Sequence, residues 1–255
     1  MTTIALYGLA TFAALFGGGI LGLLAGKLMP EKYHDDSTRA IVQTATGMVS
    51  LLAALVLGLL VATAKNKFDT SNKQTEEYAA SLMLLDRELV NFGPGANDTK
   101  SLLRKYTAAK IAETWHQTEN PKSKLGGPRA WQLLESLQLS VRDLHPEFEA
   151  QRSAVANASS IVAELNKTTW LERAEEMDHV QHPFILILMA WFAILFFSIG
   201  LFAPRNGLVI AALVVGALSI AGAVVLIADL DSPFEGVLVV SAEPMQEALA
   251  RISAP

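Results

Sequence analysis

The 255-residue chain has no cysteine, which excludes disulfides and thiolate metal sites. Charge is scarce too: Asp, Glu, Lys and Arg make up 18% of residues, against about 25% in a soluble domain. The net charge of −5 speaks against a nucleic-acid partner. Catalytic signatures are also missing, since no GxSxG, P-loop, GxGxxG or HExxH pattern occurs. The expectation is therefore no catalytic residue, no cofactor and no metal centre.

What the chain does have is oil. Hydrophobic residues make up 51% and mean hydropathy is +0.34. A bilayer core about 30 Å thick needs about 20 apolar residues in a helix. Four stretches qualify, at about 4–26, 40–64, 183–204 and 206–228, and none contains Asp, Glu, Lys, Arg or His. The first starts MTTIALYG without a base and its apolar run is too long for a signal peptide, so it reads as an uncleaved span. A Pro-Arg-Asn-Gly turn at 204–207 joins the last two as an antiparallel hairpin. The expected class is an all-α membrane protein: four transmembrane helices with a helical extramembrane bundle inserted between helices 2 and 3. Four crossings put both termini and residues 65–182 on one side. Lys65, Lys67, Lys73, Lys167 and Arg173 flank the spans there, against Lys27, Lys32, Arg39 and Arg205 opposite. The balance is nearly even, and tilts the large insertion towards the cytoplasm.

Residues 65–182 carry 15 Lys/Arg and 17 Asp/Glu and read as a solvated helical domain. Tyr78, Leu82, Leu85, Leu89 and Phe92 recur at helical spacing as one stripe. FGPGAND at 92–98 breaks that helix, with Asn97 or Asp98 expected to cap the next, whose face holds Leu103, Thr107, Ile111 and Trp115. Residues 119–129 read as a loop. A short helix around 130–139 and a longer one from Pro146 towards Asp178, carrying Val155, Val162 and Leu165, complete the insertion. Spans 2 and 3 are expected to run on into this bundle. The tail 229–255 is expected to hold a short strand, Gly236–Val240, and a helix over 242–252 capped by Ser241.

Small residues line three spans. Ala10, Ala14, Gly18, Gly22 and Gly26 are four apart in the first, a ladder suited to close helix packing. Ala212, Gly216, Ser219 and Ala223, at spacings of four, three and four, give the fourth a similar narrow face. In the second, Gln43, Thr46, Gly47, Ser50, Ala54 and Gly58 form a narrow polar face. Hydroxyls and an amide can solvate an ion without the cost of a buried charge, so these six are the pore-lining candidates. At the membrane boundary Glu172, Glu175, Glu176, Asp178, Asp229, Asp231 and Glu235 gather, with Arg173 the one base read among them. Such an acidic collar draws cations, although charges also end spans simply by staying in water. Asp229, Asp231 and Glu235 do not have the spacing of a calcium loop. His179 and His182 are three apart but lack a third ligand.

Three stretches carry a resemblance: LGLLVATAKNKFD (57–69), LDRELVNFGPGA (85–96) and LDSPFEGVLVVS (230–241). The chain resembles the bestrophin-like membrane proteins, a mostly bacterial family with an LDR motif before a Gly-Pro turn and a D-x-P-F-x-G motif after the last span. The family is remotely similar to bestrophins, which are pentameric anion channels with four membrane helices per protomer. The resemblance thus implies a homo-oligomer, pentameric by analogy, in the bacterial inner membrane, with inorganic ions and the lipid bilayer as partners. DSPFEG (231–236) would take the place of the bestrophin motif after the last span. Two departures separate the chain from bestrophins: span 2 has the core LLAALVLGLL instead of an aromatic neck, and the acid-rich boundary disfavours anions. The reading is an oligomeric channel or channel-like pore that favours cations. The alternative is a non-conducting scaffold or signalling protein whose helical domain binds a soluble partner.

Overall fold

A computed structural model describes residues 2–28, 36–115, 128–176, 181–234 and 236–253. These form eight α-helices and one 3-10 turn, with no strand among the described residues. The chain divides into two units, residues 1–68 with 180–238, and residues 69–179 with 239–255.

The first unit holds α1 (Thr2–Leu28), the beginning of α2 (Asp36–Phe92), α6 (Gln181–Phe202) and α7 (Gly207–Leu230). All four helices are long and apolar enough to cross a membrane. Their order and direction follow from the small residues of α1. A Cβ on Gly18 would stand 2.8 Å from the Ala193 carbonyl oxygen, and Cβ atoms on Gly22 and Gly26 would run into the carbonyls of Phe197 and Leu201. Residue numbers rise together, so α1 and α6 run parallel. Gly8 faces Val225 and Gly19 faces Leu213, so α7 runs the other way, as the hairpin reading requires. Asn206 begins α7 by accepting a hydrogen bond from the Val209 amide at 2.9 Å, which satisfies one of the open N–H groups of the first turn. Leu15, Leu23, Leu188, Phe192, Leu195, Phe196 and Leu213 fill the space between these helices. The three glycines of the span 1 ladder are therefore spent on packing within one chain.

The second unit contains the rest of α2, a 3-10 turn (Pro94–Ala96), α3 (Asn97–Trp115), α4 (Pro128–Arg142), α5 (Glu149–Glu176) and α8 (Glu243–Ser253). All five residues of the α2 stripe, Tyr78, Leu82, Leu85, Leu89 and Phe92, are buried in one core with Leu103, Ile111, Val162 and Leu165. Met245, Ala248 and Ile252 bring α8 into the same core. Two hydrogen bonds hold the tail to α3: Trp115 Nε1 donates to the Val240 carbonyl at 2.8 Å and Arg104 to that of Ile252 at 3.2 Å.

Helix α2 is continuous over 57 residues, as expected for span 2. Whether span 3 continues α5 turns on residues 177–180, which lie outside the described residues, as does most of the loop read at 119–129. Three local readings need correction. Gly93, at φ +98, ends α2, where glycine adopts a positive φ readily, and Asn97 is already in helical conformation with its backbone N–H on the Pro94 carbonyl, so Asn97 is not the extended residue an N-cap requires. Helix α4 begins earlier than read, at Pro128, and the carboxylate of Glu113 accepts from the Ala130 amide at 3.1 Å. Residues 236–240 form no strand, because the amides of Val237 and Leu238 are taken by the Asp229 carboxylate at 3.0 and 2.9 Å. The tail helix and its cap are as read: Ser241 Oγ accepts from the Glu243 amide at 3.1 Å.

Candidate functional site

The first unit has an open cavity of about 450 Å³ between the start of α2 and the end of α6. Arg39, Gln43, Thr46, Gly47 and Ser50 of α2 line one side. Four of the six pore-lining candidates, Gln43, Thr46, Gly47 and Ser50, are thus brought together, on consecutive turns of one helix face. Ala54 and Gly58 do not line it. The opposite wall, Ser198, Ile199, Phe202, Ala203 and Pro204, was missed by sequence reasoning. The signal that could have found it is Ser198, the lone hydroxyl in the apolar run of α6.

Helix α2 is also the least covered of the four apolar helices. In its most apolar window 6% of residues are buried, against 22% for α1, 33% for α6 and 28% for α7. A Cβ on Gly47 or Gly58 would meet nothing within 4 Å. Gln43 and Ser50 are exposed, and an amide or hydroxyl facing hydrocarbon without a partner is costly. This face needs water, a ligand or another protein surface.

Each boundary acid with a described side chain has a partner inside its own unit. In the first unit Asp229, 5% exposed, uses both carboxylate oxygens to hold the 237–238 backbone. Gly236 sits at φ +117, and a Cβ there would collide with that carboxylate. Asp231 pairs with Lys67 at 2.7 Å. The run of acids after span 4 is therefore built into a turn: Asp229 closes it and Gly236 leaves room for the closing group. In the second unit Glu172 pairs with the buried Lys110 at 3.0 Å. The reading that Arg173 is the one base among these acids is corrected, since Lys67 and Lys110 supply two more. Asp178 and Glu235, with the side chains of Arg173, Glu175 and Glu176, lie outside the described residues, as do His179 and the side chain of His182.

Around Lys110 the second unit buries a polar cluster. The ammonium lies 5.0 Å from the centroid of the Tyr78 ring, whose hydroxyl meets those of Tyr106 and Thr169. Burial, then the neighbouring Tyr78, pushes the Tyr106 phenol well above its usual range, so it stays a neutral hydrogen-bonding group. In the LDR motif, Asp86 lies 3.7 Å from Lys100 of α3, and burial raises its carboxyl against the pull of Lys100 and Arg104. Arg87 of the same motif is exposed and has no partner among the described residues.

Removing Asp229 tests the closed turn. Asp229→Ala is expected to cost about 2 kcal/mol by freeing two amides from a charged acceptor. Asp231→Ala, which breaks a half-exposed pair, is expected to cost under about 1 kcal/mol. Thermal melts of the two variants in detergent check the order; equal losses contradict it.

Apolar helices of membrane-spanning length, one with a polar lining, define a helical membrane protein. Within that class, the bestrophin-like domain model matches residues 13–245, and the chain belongs to the bestrophin-like family. No curated protein and no solved structure matches it.

Proposed function

We propose that the protein is a homo-oligomeric ion channel or channel-like pore of a bacterial inner membrane, in which α2 lines the path. The observation that carries this reading is the cavity face of α2, where Gln43, Thr46 and Ser50 stand on an apolar helix that its own chain barely covers. Copies related by a rotation axis would place these faces around a shared aqueous space. Family membership supports a channel-like membrane protein. In this reading α1, α2, α6 and α7 cross the bilayer, both termini and residues 65–182 are cytoplasmic, and any cation-favouring potential at the cytoplasmic mouth falls to acids other than the partnered Asp229, Asp231 and Glu172.

Purified protein in liposomes is expected to pass ions down a gradient. Gln43→Leu or Ser50→Leu is expected to lower flux about tenfold, the effect of about 1.4 kcal/mol on a barrier. Reversal potentials in a potassium chloride gradient read the selectivity. Absence of flux under every gradient, with correctly assembled protein, overturns the proposal.

A further inference from the structure

The cavity at the start of α2 gathers polar side chains that make no polar contact among the described residues. Three hydroxyls elsewhere in these apolar helices close on their own backbone: Thr11 donates to the Tyr7 carbonyl at 2.7 Å, Thr63 to Leu59 at 2.9 Å and Ser219 to Val215 at 2.8 Å. Even Thr44, beside the cavity but not lining it, donates to Ala40 at 2.8 Å. Among the described residues, Arg39, Gln43, Thr46, Ser50 and Ser198 have no side-chain hydrogen bond or ion pair. Five polar side chains thus converge on one space with their donors unspent. Among the described residues no Asp or Glu lines it, and Arg39 is the charged group that does.

The remaining wall is oil: Val42, Ile199, Phe202, Ala203 and Pro204. A site with one guanidinium, an amide, three hydroxyls and an apolar side fits an amphiphile with a negative head. Its volume of about 450 Å³ far exceeds the roughly 30 Å³ that one water takes up in the liquid, and lies within the roughly 300–1,000 Å³ of small-molecule sites. Its place also suits a lipid. Arg39 is the last charged residue before the apolar run of α2, and Ala203 and Pro204 follow the end of α6, so the mouth lies where apolar helices meet water.

We propose that this cavity binds the phosphate-bearing headgroup of an anionic membrane lipid. Arg39 takes the phosphate through its planar fork of donors, Gln43 and Thr46 donate to the remaining oxygens, and the glycerol and upper acyl chain lie on Ile199 and Phe202. A free phosphate ion shares the headgroup chemistry but leaves the apolar wall uncovered. Lipid binding at this cavity does not depend on conduction, because it is measured without flux.

The test uses the full chain in mild detergent, washed free of lipid. Short-chain phosphatidylglycerol, phosphatidylcholine and inorganic phosphate are titrated separately, with native mass spectrometry counting adducts and a thermal melt reading stabilisation. Phosphatidylglycerol is expected to bind saturably and raise the melting temperature, and Arg39→Gln to weaken it at least about tenfold, a loss of about 1.4 kcal/mol. Arg205→Gln, in the adjoining turn but outside the cavity, is expected to bind like wild type. Ser198→Leu, which fills the cavity from α6, gives a second loss should Arg39→Gln fail to fold. Equal binding of phosphatidylglycerol by wild type and both cavity variants overturns the site. Equal binding of phosphatidylcholine overturns the choice of an anionic head, and inorganic phosphate binding as tightly as the lipid overturns the lipid source.

Discussion

Gly22→Val is expected to leave almost no monodisperse protein in detergent, and Gly22→Ala to lower the melting temperature by about 10 °C. A Cβ on Gly22 would press into the Phe197 carbonyl, with its carbon at 2.9 Å and the Leu201 nitrogen at 3.0 Å. These are backbone atoms of α6, so no rotamer change relieves the overlap. The neighbouring Gly200 is equally committed, because a Cβ there would press on the Gly19 carbonyl. Helices in a bilayer gain little from the hydrophobic effect and depend on such close packing. Overpacking costs about 1–3 kcal/mol at ordinary sites and more where the backbone must move. About 3 kcal/mol corresponds to about 10 °C at 2–4 °C per kcal/mol for a chain of this size. Gly47→Ala and Gly58→Ala are the contrast, since nothing stands within 4 Å of either new methyl and alanine is the better helix former by up to about 1 kcal/mol. Both are expected to melt at or slightly above the wild-type temperature. Size-exclusion profiles and melts of the four variants check this, and a Gly22→Ala protein as stable as Gly47→Ala contradicts the close packing of α1 on α6.

That contrast shows what the sequence makes legible and what it does not. The periodicity of small residues marks a helix face in spans 1 and 2 alike. It does not say whether the face is closed by another helix, as at Gly18 and Gly22, or left open, as at Gly47 and Gly58. That depends on which helix comes alongside, a long-range outcome. The stripe from Tyr78 to Phe92 was legible because soluble helices bury one apolar face and leave the rest in water. Residues 236–240 misled because a run of Val and Leu has strand propensity. The backbone there finds its hydrogen bonds in Asp229, a residue that reads by itself as the charged end of a span. The cavity was half legible: the α2 side shows as polar letters in an oily run, whereas the α6 side, apart from Ser198, is apolar like the rest of its helix.

The boundary acids misled for a related reason. Counting charges along the chain does not reveal which of them are already spent, and Glu172 is the clearest case. Its side chain is 15% exposed and that of Lys110 5%, so the pair is largely shielded from ions in solution. Lys110→Met is expected to cost about 3 kcal/mol, because it leaves a largely desolvated carboxylate beside the Tyr78–Tyr106 hydroxyl pair. Glu172→Gln is expected to cost less, about 1–2 kcal/mol, since a neutral amide replaces the carboxylate on the buried ammonium, which still lies over the Tyr78 ring. Lys110→Met with Glu172→Leu removes both charges at once and is expected to lose under about 1 kcal/mol, because apolar groups of similar volume commonly replace a buried pair without loss. The double variant should therefore be more stable than either single one, an order that melts of the four proteins check. A Glu172→Gln protein that keeps wild-type stability while ion selectivity shifts would reverse this assignment. Glu172 would then be a free charge of the collar, and Lys110 would owe its burial to the Tyr78 ring.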